Sequence, residues 1–208
     1  MGIHVKICGC CSAGDVEAIA GLKPDALGFV FWAGSERCVR ADDVKAWTRG
    51  LPASIKKVGV FVDAARDEIR VVREEAGLDI VQIHGREDPD YCAGLGGDIW
   101  KAIHLNRPVP GSLEAYADSV SAFLIDYGGD AQPGGTGRTV DWEAAARFVT
   151  AAPAKVVLAG GLHAGNVAEA INRVRPWGVD VSSGVEAKVG SKDINKVKDF
   201  IDACRNAP

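Results

Sequence analysis

Several features that mark familiar classes of protein are missing from this sequence of 208 residues. No apolar run approaches the roughly 18 residues that a membrane-spanning helix needs. Basic residues form no stripe and the formal net charge is -4, which argues against nucleic acid or a membrane surface as the main partner. Lys6 and Cys8 interrupt the only apolar stretch near the N-terminus, so no signal peptide is predicted and we expect a cytoplasmic protein.

The cysteines do not form a recognisable framework. There are six, at positions 8, 10, 11, 38, 92 and 204, and they are sparse and unevenly spaced in a long chain without a predicted secretory signal. Neither the C-x-x-C spacing of Cys8 and Cys11 nor any following His-x-x-x-His supplies a closed set of metal ligands. We therefore expect reduced thiols and predict no bound metal.

What the sequence does contain is a repeated alternation of strand and helix patterns. Apolar, β-branched runs recur every 20 to 30 residues or so, and each is followed by an amphipathic stretch. The predicted strands are 5–8, 26–31, 57–62, 80–84, 99–103, 122–126, 156–159 and 178–182. The predicted helices are 15–22, 41–49, 65–75, 88–94, 112–118, 141–150, 166–174 and 192–204.

Eight such units without an intervening linker predict an α/β fold, a single-domain (β/α)8 TIM barrel over residues 1–208. A doubly wound open sheet is the alternative, because pattern alone does not show closure. Two helix starts carry a capping oxygen, from Asp141 and from Ser191.

Polar residues gather where strands are predicted to end, as the barrel requires of functional groups. Cys8 ends the first strand, His84 the fourth and Asp126 the sixth, while Asp180 lies in the eighth. By contrast, the segments that lead into the strands contain no comparable group of candidate functional residues.

Three glycine-rich loops crowd the second half of the chain, at 134–137, 160–163 and 182–184. Glycine lets backbone N–H groups approach an anion closely, and barrels often bind phosphate after strands seven and eight. Neither a P-loop nor a Gly-x-Gly-x-x-Gly fingerprint is present. The pattern favours a small-molecule phosphosugar ligand over ATP or NAD.

Cys8 and Asp126 are the candidate base and acid, since strands one and six lie three steps apart in a ring of eight. Taken alone, Cys8 is explained by packing, and Asp126 equally well by a structural hydrogen bond. A cysteine needs a cationic neighbour or a favourable dipole to ionise near neutral pH. Lys6, on the same face of its strand, either assists Cys8 or serves as counter-ion to Asp180.

Seven short runs carry a resemblance to a known family, and they span nearly the whole chain. In order they are KICG (6–9), GFVFW (28–32), GSER (34–37), VGVFV (58–62), VQIHG (81–85), GGTG (134–137) and GVDVSSGVE (178–186). The set resembles the phosphoribosylanthranilate isomerase family of tryptophan biosynthesis. The sequence departs from the family pattern at Cys38 and at Cys10-Cys11.

The resemblance implies a (β/α)8 barrel and an Amadori rearrangement of N-(5-phosphoribosyl)anthranilate to 1-(2-carboxyphenylamino)-1-deoxyribulose 5-phosphate, without metal or cofactor. It makes Cys8 the general base and Asp126 the general acid, and it assigns Arg37 to the anthranilate part. Further pocket positions are His84 and Asp180, and the phosphate cradle is Gly135, Thr136, Gly137, Gly160, Gly161, Ser182, Ser183 and Gly184.

Two alternatives stand beside the isomerase. One is a related phosphosugar barrel, either an epimerase or an indole-glycerol-phosphate synthase; the synthase needs a lysine acid, and Lys6 and Lys101 are the only strand lysines suitably placed. The other is a phosphosugar sensor or thiol metal-binding protein without turnover. The sequence leaves open whether the chain is a monomer or a homodimer, and whether a histidine-pathway aminoaldose is also accepted.

Overall fold

The computed structural model describes residues 2–126 and 141–207. Ten strands and seven α-helices are found in these ranges. The strands are β1 (His4–Ile7), β2 (Ala26–Val30), β3 (Lys56–Phe61), β4 (Ile80–Ile83), β5 (Asp98–His104), β6 (Ala122–Asp126), β7 (Lys155–Leu158), β8 (Gly178–Val181), β9 (Glu186–Lys188) and β10 (Ser191–Lys192). The helices are α1 (Ala13–Gly21), α2 (Ala41–Trp47), α3 (Arg66–Ala76), α4 (Pro89–Ala93), α5 (Trp142–Ala151), α6 (Val167–Val174) and α7 (Ile194–Arg205).

The first eight strands form a closed parallel barrel in chain order. Closure is made by β1 and β8, whose register pairs Lys6 with Asp180 and Ile7 with Val181. The predicted (β/α)8 barrel is therefore confirmed and the open sheet is wrong. All eight predicted strands are present, each shifted by no more than one residue at either end.

Alternation along the strands separates two layers of core. Residues facing outward, such as Val5, Ile7, Leu27 and Phe29, pack between the barrel and the surrounding helices. Residues facing inward fill the barrel itself: Ala26, Val58, Ile80, Trp100, Ala102, Ala122, Leu124, Val157 and Ala159. This filled interior leaves the carboxyl ends of the strands as the face on which a site can be built.

The predicted helices agree with the observed ones to within two residues at either end, except that the fifth is of another type and the last has another cap. The fifth, predicted at 112–118, is a single 3-10 turn at Leu113–Tyr116. The approach to it contains Pro108, Pro110 and Gly111, residues that do not continue a helix, and the helical turn begins only after them.

The last helix begins later than predicted, and Ser191 is not its cap. Asp193 caps α7 by accepting hydrogen bonds from the N–H groups of Asn195 and Lys196. Ser191 and Lys192 belong instead to β10, which pairs antiparallel with β9 in a hairpin that the sequence did not predict. The other predicted cap is confirmed: Asp141 accepts from Glu143 and Ala144 at the start of α5.

Within residues 2–126 and 141–207, we find no helix with the length and apolar character that a membrane span requires.

Candidate active site

A cavity opens at the carboxyl ends of the barrel strands and brings together six of the predicted site residues. Among its lining residues are Cys8, Arg37, His84, Asp126, Asp180 and Ser182. A smaller adjoining pocket shares Asp126, Asp180 and Ser182 and adds Gly160, Gly161, Ser183 and Gly184. The predicted residues Gly135, Thr136 and Gly137 lie outside the described residues.

Cys8 continues β1 by one residue, since its backbone N–H donates to the Val181 carbonyl at 2.8 Å. Burial raises the pKa of its thiol, the Lys6 ammonium lowers it, and the Asp180 carboxylate raises it again. The net effect holds the pKa of Cys8 above the ordinary value of a cysteine, so the thiol form predominates at neutral pH in the protein without substrate.

Lys6 is fully buried below Cys8, and its Nζ donates to Asp180 Oδ1 at 2.9 Å. Burial lowers the pKa of Lys6, but Asp180 and Cys8 raise it and the net shift is upward, so Lys6 is charged. Of the two roles predicted for Lys6, the structure confirms the counter-ion to Asp180. The same ammonium also lowers the pKa of Cys8, so the two roles coexist.

Gly28 lies beside Cys8, and the absence of a side chain there leaves room for the thiol. A Cβ on this residue would lie 2.6 Å from Cys8 Sγ and 3.0 Å from Cys8 Cα, closer than packed atoms approach. Any side chain at position 28 on β2 would therefore push the thiol out of place.

We expect Gly28→Ala to lower kcat by about 10²-fold, because displacing a reacting group by about 1 Å has a cost of that order. Steady-state kinetics would measure the effect, with Gly14→Ala as control, since a Cβ at Gly14 meets nothing within 4 Å. Wild-type kcat in Gly28→Ala would show that the position of Cys8 is unimportant.

Asp126 is the last residue of β6 and lies beside two histidines. His84 Nε2 is 3.4 Å from Asp126 Oδ2. The two atoms do not have the geometry of a hydrogen bond. Gln82 Nε2 is 3.1 Å from His84 Nδ1. With the amide in this orientation, a neutral His84 carries its proton on Nε2, facing the carboxyl group.

Burial and the neighbouring His84 lower the pKa of His104 to about 4, so His104 is neutral at pH 7.

Arg37 is held at the cavity wall by a carboxylate that the sequence analysis missed. Its Nε donates to Glu186 Oε1 at 2.8 Å and its Nη2 to Glu186 Oε2 at 2.7 Å. Lys192 donates from Nζ to the same Glu186 Oε1 at 3.1 Å. Glu186 follows a predicted strand end, which was an available signal, whereas the assignment of Lys192 to a helix concealed its role.

The loops after β7 and β8 contact each other at Gly184. A Cβ on Gly184 would lie 2.0 Å from the Leu162 carbonyl oxygen, so this approach requires glycine. Asn166 fixes the first loop, donating from Nδ2 to the Gly161 carbonyl at 3.0 Å. The two loops thus present a continuous backbone surface beside Asp126 and Asp180.

Lys101 does not line the cavity that holds Cys8 and Asp126, so it is not placed there to act as an acid. It lies on the same face of β5 as Ile99 and Ile103, which pack outside the barrel, and its Nζ donates to Glu87 Oε2 at 2.9 Å and to the Gly85 carbonyl at 2.8 Å. The lysine that the synthase alternative needs is therefore not supplied by Lys101.

The six cysteines carry free thiols. Among residues 2–126 and 141–207, no three His, Cys, Asp or Glu side chains are grouped so that they could hold a metal ion.

Comparison with known proteins places these features in a family. The family model described as N-(5'-phosphoribosyl)anthranilate (PRA) isomerase matches residues 5–203. A curated relative, the N-(5'-phosphoribosyl)anthranilate isomerase of Pelobacter propionicus, is 44% identical over 200 residues, which cover 96% of this chain and 94% of the relative.

Solved structures agree. Phosphoribosyl anthranilate isomerase from Thermus thermophilus superposes with a TM-score of 0.85 at 31% identity, covering 97% of this chain and 98% of that one. A phosphoribosyl anthranilate isomerase in complex with reduced 1-(o-carboxyphenylamino)-1-deoxyribulose 5-phosphate superposes with a TM-score of 0.82 at 32% identity, with the same coverage. With a matching barrel, a matching family model and relatives of this identity over nearly the full length, the chain belongs to the N-(5'-phosphoribosyl)anthranilate isomerase family.

Proposed function

We propose that Cys8 and Asp126 are the general base and general acid of the family reaction, the isomerisation of N-(5'-phosphoribosyl)anthranilate in tryptophan biosynthesis. The observation that carries the proposal is the meeting of the two groups in one cavity, although they lie at the ends of strands on different sides of the barrel. Residues 1–208 act as one barrel domain in this proposal.

The chemistry follows from the two groups. Asp126, protonated, delivers its proton to the ring oxygen of the ribose, and the C1–O bond opens to a Schiff base. The positive Schiff base acidifies the proton on C2, and the Cys8 thiolate removes it to give an enolamine. The enol then loses its O–H proton while C1 gains one, which yields the 1-amino-1-deoxyribulose product with no net change in protons.

The substrate is anionic at both ends, and the cavity offers a different kind of group to each. Arg37, a planar and permanently charged guanidinium, suits the anthranilate carboxylate. Backbone N–H groups of Gly160, Gly161, Ser182, Ser183 and Gly184 suit the phosphate, and their loops border the same acid, Asp126.

Two further groups support the substrate between its ends. His84 contacts Asp126 and is assigned to the pocket wall beside the acid. Asp180, paired with Lys6, is assigned to the wall beside the base. Gly135, Thr136 and Gly137 complete the proposed phosphate cradle.

The decisive experiment is an assay of the purified protein with N-(5'-phosphoribosyl)anthranilate generated in situ. We expect rapid loss of the substrate's fluorescence without added metal or nucleotide. A rate equal to the spontaneous decay of the substrate would contradict the proposal.

A further inference from the structure

Glu186 leaves one edge of the Arg37 guanidinium available. A guanidinium has five N–H donors, and the bidentate contact with Glu186 uses the Nε edge together with one hydrogen of Nη2. Within residues 2–126 and 141–207, no side chain or carbonyl accepts a hydrogen bond from the remaining edge, formed by Nη1 and the second hydrogen of Nη2. Arg37 lines the cavity, and this edge has the fork geometry that binds a second carboxylate.

The contact is nearly buried and therefore well ordered. The side chains of Arg37 and Glu186 are 15% and 5% exposed. Burial raises the pKa of Glu186, but the hydrogen bonds and charges of Arg37 and Lys192 lower it below the ordinary value, so Glu186 is ionised at neutral pH. A carboxylate held in this way fixes the plane of the guanidinium.

Glu186 also neutralises Arg37, which by itself would weaken the attraction for an anionic substrate. Lys192 reverses this loss. Its side chain is fully buried, and its Nζ lies 3.1 Å from Glu186 Oε1. Two cations and one anion leave the group of three with a net positive charge, and in a poorly solvated site that charge matters more than it would in water.

Lys192 further connects this group to the loop after β8. Its Nζ donates to the Ser182 carbonyl at 3.1 Å and lies 3.5 Å from Ser182 Oγ. The β9–β10 hairpin holds both partners, since Glu186 begins β9 and Lys192 ends β10. One buried lysine thus touches both the partner of Arg37 and the loop proposed to bind phosphate.

We propose that Glu186 and Lys192 are positioning residues for recognition of the substrate's aromatic carboxylate. Glu186 orients Arg37 so that its remaining edge faces the cavity, and Lys192 keeps the site positively charged while setting the distance between Arg37 and the Ser182 loop. The inference rests on the role proposed above for Arg37.

The test compares two ligands on the intact protein. One is reduced 1-(o-carboxyphenylamino)-1-deoxyribulose 5-phosphate, and the other is the same reduced compound built on aniline, which lacks the carboxylate. Binding of both is measured by calorimetry for the wild type, Glu186→Gln, Lys192→Met and Arg37→Met. Exposed residues supply the controls Glu169→Gln and Lys198→Met.

We expect Glu186→Gln to weaken the carboxylate ligand at least tenfold and the aniline ligand less than twofold. The glutamine replaces one of the two oxygens that accept from Arg37 with an amide donor, and the lost orientation of the guanidinium outweighs the added positive charge. Lys192→Met should weaken both, the carboxylate ligand more strongly, because Lys192 also touches Ser182. With substrate, KM for Glu186→Gln should rise by a similar factor while kcat stays within about threefold. The ratio of the two affinities does not depend on the folded fraction of a preparation, so partial misfolding does not obscure it.

Equal weakening of both ligands by Glu186→Gln would show that Glu186 only supports the loop, and unchanged affinity would show that it does nothing; either result overturns the inference. Arg37→Met separates this from failure of the proposed function. If Arg37→Met does not weaken the carboxylate ligand more than the aniline ligand, the role proposed for Arg37 itself is wrong. If Arg37→Met weakens the carboxylate ligand more than the aniline ligand and Glu186→Gln does not, only the inference about Glu186 and Lys192 fails.

Discussion

Replacing Asp126 with asparagine is expected to lower kcat by about 10²- to 10⁴-fold, the range that a positioned general acid contributes. Asparagine keeps the size of the side chain and its hydrogen-bonding oxygen, but it carries no proton that it can release to the ring oxygen. Asp126 is buried at the end of β6, and the isosteric change disturbs packing little. Steady-state kinetics together with circular dichroism would measure the loss and confirm the fold.

The control is Asp118→Asn, an exposed aspartate shortly before the opposite end of the same strand. It should leave kcat unchanged. If Asp126→Asn retained near-normal turnover, the proton would have to come from another group, and His84, 3.4 Å away, would be examined next.

Replacing Cys8 with serine should also lower kcat by about 10²-fold or more, because general base catalysis contributes at least that much. An alcohol is a far weaker acid than a thiol, so serine supplies almost no anion to remove the C2 proton. Oxygen is smaller than sulfur, so serine fits in the space that the thiol occupies. Full activity in Cys8→Ser would reject Cys8 as the base.

The ionisation of Cys8 gives an independent check. Because burial raises its pKa above the ordinary value, the thiolate is scarce at neutral pH and increases as the pH rises through the raised pKa. The ultraviolet absorbance of thiolate in the wild type, minus that of Cys8→Ser, should therefore appear only at alkaline pH. A difference already present at pH 7 would mean that Lys6 outweighs burial.

The barrel could be predicted because its information is local. A run of apolar, β-branched residues marks each strand, and the alternation of side chains within it separates the inward-facing set, for example Leu124 and Val157, from the outward-facing one. The errors arose where a distant contact decides the local structure. Lys192 has the surroundings of a helix start in the sequence, but its pairing with Glu186 keeps it extended and moves the cap to Asp193.

The site divides in the same way. Cys8 and Asp126 could be proposed because strand ends in a barrel converge, and this follows from topology alone. The strand end before Glu186 could have marked it as a site residue, but not as the partner of Arg37, which lies 149 residues earlier in the chain. The hairpin that holds Glu186 was not revealed by any pattern. The raised pKa of Cys8 likewise depends on burial, which sequence spacing does not measure.

The pairing of β1 with β8 also bears on how the chain is made. Lys6 meets Asp180, 174 residues later, so β1 leaves the ribosome well before β8, the strand that covers its free edge. Contacts of such separation form slowly, and an uncovered edge is prone to pair with other chains. Cys8 lies directly above this seam, so the setting of the thiol exists only once the ring has closed. On the proposal that Cys8 is the base, the catalytic site and the closed barrel are therefore completed together.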